Sequence, residues 1–269
     1  MAGETLQQHI AHTVSFNIKI ILNRTYLAII GLLVFLSSYS QTSVLSKIDN
    51  ELAATFKAMK DADYQLRSES LAPLFKKELQ EQLKNPITFD NSLDNLSKYL
   101  TIKTSPDKKI KFYSWDDLTG GTWHMINCLA QFQSNRGKII VQQLNSGNEA
   151  EIGGYTDSKV YEIHEIIVDN KTHYLTFAWG THGFGNQHQI IQVFTISPNK
   201  LVKCTSCLPN NSDLVIEYPR SEESKLYFNP KSNEISYCEF TYDDDLGYYR
   251  STGNSITLKL INGSFKKYN

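Results

Sequence analysis

The sequence lacks an excess of either charge: 27 lysines and arginines stand against 28 aspartates and glutamates, a formal net charge of −1 over 269 residues. A chain this close to neutral has no broad basic field to hold phosphates, so we expect no nucleic-acid binding and no attraction to an anionic membrane. Disorder is excluded as well, because 41% of the residues are hydrophobic and 20% are charged, as in ordinary globular domains.

Familiar catalytic and cofactor motifs are also missing. There is no GxSxG nucleophile elbow, no HExxH zinc motif, and no GxGxxG or P-loop phosphate cradle. The acidic run from Asp243 to Asp245 lacks the alternating spacing of an EF-hand. The sequence therefore predicts neither a cofactor nor a resident metal, and it favours a non-enzymatic function.

Long hydrophobic runs are absent except near the N-terminus. The run from Tyr26 to Leu36 is apolar but too short to cross a bilayer core of about 30 Å comfortably. Lys19 and Arg24 give it a positive flank. Small residues, Ser38 and Ser40, stand at the two positions that a signal peptidase reads.

These features predict a secretory signal peptide over residues 1–40, cleaved after Ser40 to leave Gln41 first. The expected location is the periplasm or the cell exterior, with membrane contact only through this segment before cleavage. An uncleaved anchor and a buried helix are the alternatives. The flank before the apolar run is long for a signal peptide, which suggests a translation start near Leu22.

Residues 41–100 are predicted to form a helical section. From Val44 to Leu66, apolar residues recur at steps of mostly three and four, as in an amphipathic helix. A second helix should run from Ser70 to Asn85, because Pro86 disfavours helix in the residue before it, and a short third from Ser92 to Leu100. The ordinary role of their apolar faces is packing, and partner binding is the alternative.

Residues 101–269 are predicted to form an antiparallel β domain, because short strand-like runs alternate with turn residues and no long helical pattern interrupts them. The fold class is therefore α+β, mainly antiparallel β: a short N-terminal helical section followed by a β-sandwich or barrel-like domain, with a few-bladed propeller-like arrangement as the alternative. The predicted strands are Thr101 to Thr104, Lys109 to Trp115, Trp123 to Phe132, Lys138 to Leu144, Lys159 to Val168, His173 to Trp179, Gln189 to Ile196, Leu214 to Tyr218, Glu234 to Tyr242 and Ser255 to Ile261.

The four cysteines all follow the predicted leader, and an even number in an oxidising compartment favours disulfides. Cys204 and Cys207 have the CxxC spacing of redox pairs and zinc knuckles. A redox pair normally caps a helix in a βαβ setting, however, and a knuckle needs a second pair of ligands at comparable spacing. Structural disulfides between Cys204 and Cys207 and between Cys128 and Cys238 are one of three possible pairings.

Two segments stand out from the strand pattern as candidate ligand sites. The first reads WDDLTGGTWH. Tryptophan rings can stack on a sugar or another flat ligand, while a carboxylate and a histidine can exchange protons. The simpler interpretation, which we favour, is a hairpin loop in which aspartates cap backbone amides and tryptophan fills the core. The candidate residues are Trp115, Asp116, Asp117, Trp123 and His124.

The second segment reads WGTHGFGNQH and contributes Trp179, His182 and His188 as candidates. Its glycines allow a flexible loop or a close approach of the backbone to a ligand. Histidine is a common metal ligand, but no HxH or HExxH spacing occurs here, so a rim loop is the favoured interpretation. A third metal ligand would have to come from elsewhere in the chain: His124, His164 or His173.

The Ser-Ser-Tyr-Ser-Gln junction and the segment SPDKKIKFYSWDDLTGGTWH resemble uncharacterised exported proteins of Bacteroidetes type. The resemblance covers the leader and about twenty residues, and it implies export but no activity.

Three hypotheses follow for the function. The first is an exported non-enzymatic domain that binds a small ligand, a glycan or a protein through two loops on one edge of the fold. The second is a secreted hydrolase of glycans or peptides, in which Asp116, Asp117, His124 and His182 meet in a pocket. The third is an inhibitor or immunity-type protein that docks on a secreted enzyme through an exposed apolar patch.

Overall fold

A computed structural model describes residues 42–121, 124–145, 158–181 and 185–268. The chain divides into two units, residues 1–47 and 48–269. The described part of the first unit, residues 42–47, is helical, and the predicted signal segment lies outside the described residues. Within the described ranges, no helix has both the length and the apolar character needed to cross a membrane.

The helical section begins with α1 over residues 42–61. The helix is interrupted at Asp63, whose side chain accepts a hydrogen bond from the amide of Leu66 (2.9 Å) and so caps the next helix. The single predicted helix from Val44 to Leu66 is therefore wrong at its C-terminal end. The remaining helices are α2 (Tyr64–Leu66), a π-helical turn (Arg67–Leu71), α3 (Ala72–Gln82), α4 (Pro86–Asp90) and a 3-10 turn (Leu96–Lys98).

Pro86 ends one helix and begins the next. The α3 helix stops before it, as expected, and Pro86 then occupies the first position of α4, where its missing N–H would be unsatisfied in any case. Asn85 caps α4 by accepting from the amide of Ile87 (3.1 Å). The predicted third helix from Ser92 to Leu100 is wrong, because only one 3-10 turn forms there.

Thirteen strands in the described residues form three antiparallel sheets. Antiparallel pairing and most of the predicted strands are confirmed. The sequence analysis missed three strands of four residues each, β8, β10 and β13. Sheet A contains β1 (Thr101–Thr104), β2 (Ile110–Asp116), β3 (Ile126–Gln133) and β4 (Ile139–Asn145). Sheet B contains β5 (Lys159–Val168), β6 (Lys171–Thr181), β7 (Asn186–Ser197), β8 (Lys200–Lys203) and β9 (Leu214–Pro219). Sheet C contains β10 (Leu226–Asn229), β11 (Glu234–Asp243), β12 (Tyr248–Ile261) and β13 (Ser264–Lys267).

The sheets stack face to face in chain order. Alternate side chains of a strand point to opposite faces, so Phe112 and Phe132 of sheet A join Tyr174 and Phe194 of sheet B in one apolar core. The other face of sheet B supplies Phe177 and its neighbours to a second core shared with sheet C. The predicted sandwich is thus confirmed with three sheets rather than two.

The outer face of sheet A carries the helices. Phe75 of α3 packs edge-on against Trp115, with ring centroids 5.5 Å apart. None of the three described sheets closes on itself, so the barrel-like alternative is wrong. The described strands do not form a ring of propeller blades either, because helices cover the face of sheet A that the next blade would need.

Candidate functional site

Hydrogen bonds of Asp116 and Asp117 determine the shape of the loop that connects β2 and β3. Asp116 Oδ1 accepts from the amide of Leu118 (2.8 Å), which lies in the left-handed region with φ of 59°. An aspartate that caps an amide two residues ahead forms a tight turn. The amide of Asp117 donates to the carbonyl of Met125 (2.9 Å) and closes the loop from the other side. The expected capping of a backbone amide by a side chain is confirmed for Asp116, whereas the Asp117 carboxylate accepts only from side chains.

Asp117 is committed to the loop through its side chain as well. Its two carboxylate oxygens accept from Trp115 Nε1 (2.8 Å) and Asn127 Nδ2 (2.6 Å). Burial raises the pKa of the Asp117 carboxyl, an effect that these two hydrogen bonds and the charge of Lys76 oppose. Since both oxygens are engaged, Asp117 is a structural residue rather than a free acid or base.

Trp115 is part of the core and not of a ligand surface. Its residue is only 2% exposed, its ring packs on Phe75, and its N–H is held by Asp117. The sugar-stacking interpretation therefore fails for this tryptophan. The second tryptophan of the segment, Trp123, lies outside the described residues.

Asp116 and His124 form a pair at the surface. Asp116 Oδ2 is hydrogen-bonded to His124 Nδ1, and the His124 side chain is 39% exposed. A carboxylate only accepts, so Nδ1 carries a proton, and Nε2 is the ring nitrogen that remains for a ligand. The pair orients a histidine toward solvent.

The second candidate segment reaches the same edge of the fold. The amide of His124 donates to Thr181 Oγ1 (3.1 Å), and the rings of His124 and Trp179 lie 6.2 Å apart. Lys159 places its ammonium 5.3 Å from the centre of the Trp179 ring, within range of a cation–π contact. The flanks of the two loops therefore meet, which confirms the predicted shared edge. We call Asp116, His124, Lys159, Trp179 and Thr181 the loop edge.

Two polar side chains, Asn186 and His188, are buried on β7, the strand that pairs with the end of β6 at Thr181. His188 is 3% exposed, and its Nε2 lies 2.9 Å from the hydroxyl of Ser158, so it is not a surface histidine. Asn186, 8% exposed, has an Oδ1 without a hydrogen-bond partner among the described residues. A buried acceptor of this kind is costly unless a water or a ligand satisfies it. His182 lies outside the described residues.

A cavity of about 420 Å³ lies on the helix side of the same loop. Asp117, Thr119 and Gly120 line it from the loop, and Tyr64 and Lys76 line it from the helices. Tyr64 is exposed. The cavity therefore combines an accessible aromatic ring with charged and backbone polar groups.

Arg67 fixes this loop against the helices, and the sequence analysis missed it. Its Nη1 donates to the carbonyl of Leu118 (2.9 Å). Its Nε and Nη2 donate to the carbonyls of Met59 (3.0 Å) and Lys60 (3.1 Å) near the end of α1. The fifty-one residues that separate Arg67 from Leu118 leave no signal in the sequence for this contact.

The cysteines follow the predicted pairing only in part. The disulfide between Cys204 and Cys207 is present, as expected. The pairing of Cys128 with Cys238 is wrong, because both are free thiols. Cys128 lies in the core between sheets A and B, where burial raises its thiol pKa to about 12, whereas Cys238 lies on β11 of sheet C. Sheet B separates them.

The predicted histidine ligands do not come together within the described ranges. His164 packs between Phe177 and Phe228, His188 pairs with Ser158, and His124 pairs with Asp116. The one group of three metal-ligating side chains in the described residues is a different one, formed by His173, Cys204 and Cys207. No family model, curated protein or solved structure matches the chain.

Proposed function

We propose that the protein is an exported, non-enzymatic domain that binds a saccharide at the loop edge. The observation that carries the proposal is the contact of His124 with Thr181 and Trp179, which joins two polar, aromatic segments fifty-seven residues apart. Loops at one end of a rigid β scaffold are a usual place for recognition.

A saccharide suits the chemistry of this edge. One face of a sugar ring is apolar and packs on an aromatic ring, and its hydroxyls need both donors and acceptors. Trp179 is partly exposed and supplies the ring. Lys159 supplies a donor, and the oriented His124 supplies an acceptor. A saccharide suits this edge better than a protein partner, because the groups available for contact are few and mostly polar.

The hydrogen bonds of Asp116 and Asp117 support a non-enzymatic function. Both oxygens of Asp116 accept hydrogen bonds from the chain, and so do both oxygens of Asp117. A glycosidase needs a pair of carboxyl groups that face the substrate. The Asp116–His124 pair is the observation that favours a hydrolase as second candidate, because a carboxylate orients the catalytic histidine in many hydrolases.

Export rests on the N-terminal signal features, and the disulfide between Cys204 and Cys207 agrees with an oxidising compartment. Amino-terminal sequencing of the protein from periplasmic and culture fractions of the producing cell should give Gln41 as the first residue. Recovery of the protein in the cytosol with its first forty residues intact would contradict export.

The binding proposal predicts that Lys159→Ala weakens saccharide binding about 10-fold. The substitution removes a donor and the cation that contacts Trp179. The probes are chitooligosaccharides and soluble peptidoglycan fragments, titrated while tryptophan fluorescence and amide NMR shifts are recorded. Amide shifts should be largest around His124 and Trp179.

Lys171→Ala is the matched control, because Lys171 is an exposed lysine at the opposite end of the same sheet. It should bind as the wild type does. Absence of any saccharide-induced shift, or equal weakening by both substitutions, would overturn the proposal. New reducing ends in the incubated samples would instead support the hydrolase.

A further inference from the structure

A second cluster of reactive side chains lies on sheet B, where the chain passes from β8 into the disulfide. His173 directly precedes Tyr174 on β6, and Cys204 directly follows Lys203 on β8. Tyr174 and Lys203 both pair with Phe194 of the intervening strand β7. The sheet register therefore brings His173 beside a cysteine pair that is thirty-one residues later in the sequence.

The spacing of these groups suits a tetrahedral metal ion. A ring nitrogen of His173 and the sulfurs of Cys204 and Cys207 all lie within 4.8 Å of one another. Zn–S bonds of about 2.3 Å and Zn–N bonds of about 2.0 Å place neighbouring ligand atoms roughly 3.4–3.8 Å apart. Only a small adjustment separates the observed arrangement from a coordination site once the sulfurs are no longer bonded to each other.

The histidine is already held in the form that binds a metal. Its Nδ1 lies 3.1 Å from the carbonyl oxygen of Lys171. A carbonyl only accepts, so Nδ1 carries a proton, and the lone pair that a metal can use is that of Nε2. Metal-binding histidines usually donate their other ring N–H in this way. His173 is buried, which limits competition from water for that lone pair.

We propose that Cys204, Cys207 and His173 form a site for Zn²⁺ or a similar soft divalent cation when the disulfide is reduced. The reductant is an external dithiol, which gives two electrons and two protons to the disulfide and becomes a disulfide itself. Metal binding then displaces the two thiol protons into the buffer, and two metal–thiolate bonds and one metal–imidazole bond form.

The disulfide and the metal exclude each other, because only thiolates are ligands. The segment is thus linked by a disulfide under oxidising conditions and by a metal ion under reducing ones. Three protein ligands leave a fourth position for water or an exogenous ligand. His173 lies near the start of β6, whereas Trp179 and Thr181 of the loop edge lie near its end, and the metal site does not depend on the proposed saccharide binding.

The test is an anaerobic Co²⁺ titration of the purified protein, before and after reduction by a dithiol that is then removed. The reduced protein should bind one Co²⁺ per chain, with the thiolate-to-cobalt charge-transfer band and the intense visible bands of tetrahedral coordination. Zn²⁺ should displace the Co²⁺. The oxidised protein should show no such bands.

Two variants identify the ligands. Cys204→Ser and His173→Gln should each weaken binding by about 100-fold or more and change the visible bands. Cys238→Ser is the matched control, since it removes a free thiol on sheet C, and it should titrate as the wild type does. Circular dichroism checks the fold. Cys207 is left unchanged because it is fully buried.

The proposal is overturned if the reduced wild type gives no charge-transfer band, or if Cys238→Ser abolishes it. It is also overturned if His173→Gln leaves the affinity and the visible bands unchanged, because the two thiolates would then bind without the histidine. Should Cys204→Ser fail to fold, the oxidised wild type still serves as the protein in which Cys204 and Cys207 cannot act as thiolate ligands.

Discussion

Gln131→Ala is expected to lower the free energy of unfolding by about 3–5 kcal/mol. Gln131 is fully buried between sheet A and the helices. Its Nε2 donates to the carbonyl of Leu83 (2.7 Å) and to Thr88 Oγ1 (2.9 Å), and its Oε1 accepts from the hydroxyl of Tyr113 (2.8 Å). The substitution leaves these groups buried without partners and opens a cavity, and both effects destabilise.

Urea unfolding followed by circular dichroism measures this change. Gln133→Ala is the control, because Gln133 is the next residue on the same face of β3 but is exposed, and it should change the free energy of unfolding by less than about 0.5 kcal/mol. Gln131→Leu keeps most of the volume and isolates the lost hydrogen bonds. Equal stability of Gln131→Ala and Gln133→Ala would show that the network does not hold the helices on the sheet.

The strands could be predicted because turn residues and β-branched or aromatic runs are local signals. The order of the layers could not, because sheets A and B are covered on both faces and their strands carry apolar residues on both sides. Lys111 illustrates this. It has the sequence signature of a solvent-facing residue, yet it is buried, and its Nζ donates to the carbonyls of Thr88 (3.2 Å) and Asn91 (2.7 Å).

The sequence predicted the local features of the candidate site but not the contacts that depend on distant residues. The loop sequence WDDLTGG identified a capped turn, and the shared edge followed from placing both loops at strand ends. The choice between core and ligand surface for Trp115 depends on Phe75, forty residues earlier, so the sequence left it open. The grouping of His173 with Cys204 depends on the register of three strands, which no spacing in the sequence reveals.

Trp115→Ala is expected to lower the free energy of unfolding by about 3–5 kcal/mol, and Trp115→Phe by about 1–2 kcal/mol. The alanine variant loses the contact of the indole with Phe75 and leaves a cavity. The phenylalanine variant keeps an aromatic ring but loses the hydrogen bond from Nε1 to Asp117 Oδ1. Urea unfolding of both variants at neutral pH measures the two effects separately.

The pH dependence of Trp115→Phe reports on Asp117. Burial raises the pKa of this carboxyl above its unfolded value, so its contribution to stability is fully present below the unfolded pKa and is lost as the pH rises through the folded pKa. Without the indole N–H, which favours the charged carboxylate, the folded pKa rises further and the loss at neutral pH becomes larger. The stability difference between wild type and Trp115→Phe should therefore be largest at neutral pH and should shrink as the pH falls through the carboxyl range.

The exposed Tyr227 on sheet C provides the control. Tyr227→Phe should have the same free energy of unfolding as the wild type at neutral pH and in the carboxyl range. A difference for Trp115→Phe that does not change with pH would mean that the indole does not stabilise the Asp117 carboxylate. If the difference shrinks as expected, Trp115 and Asp117 are parts of one buried hydrogen-bonded unit that shapes the loop. The ligand-binding role then remains with His124, Lys159 and Trp179 on the exposed side of that loop.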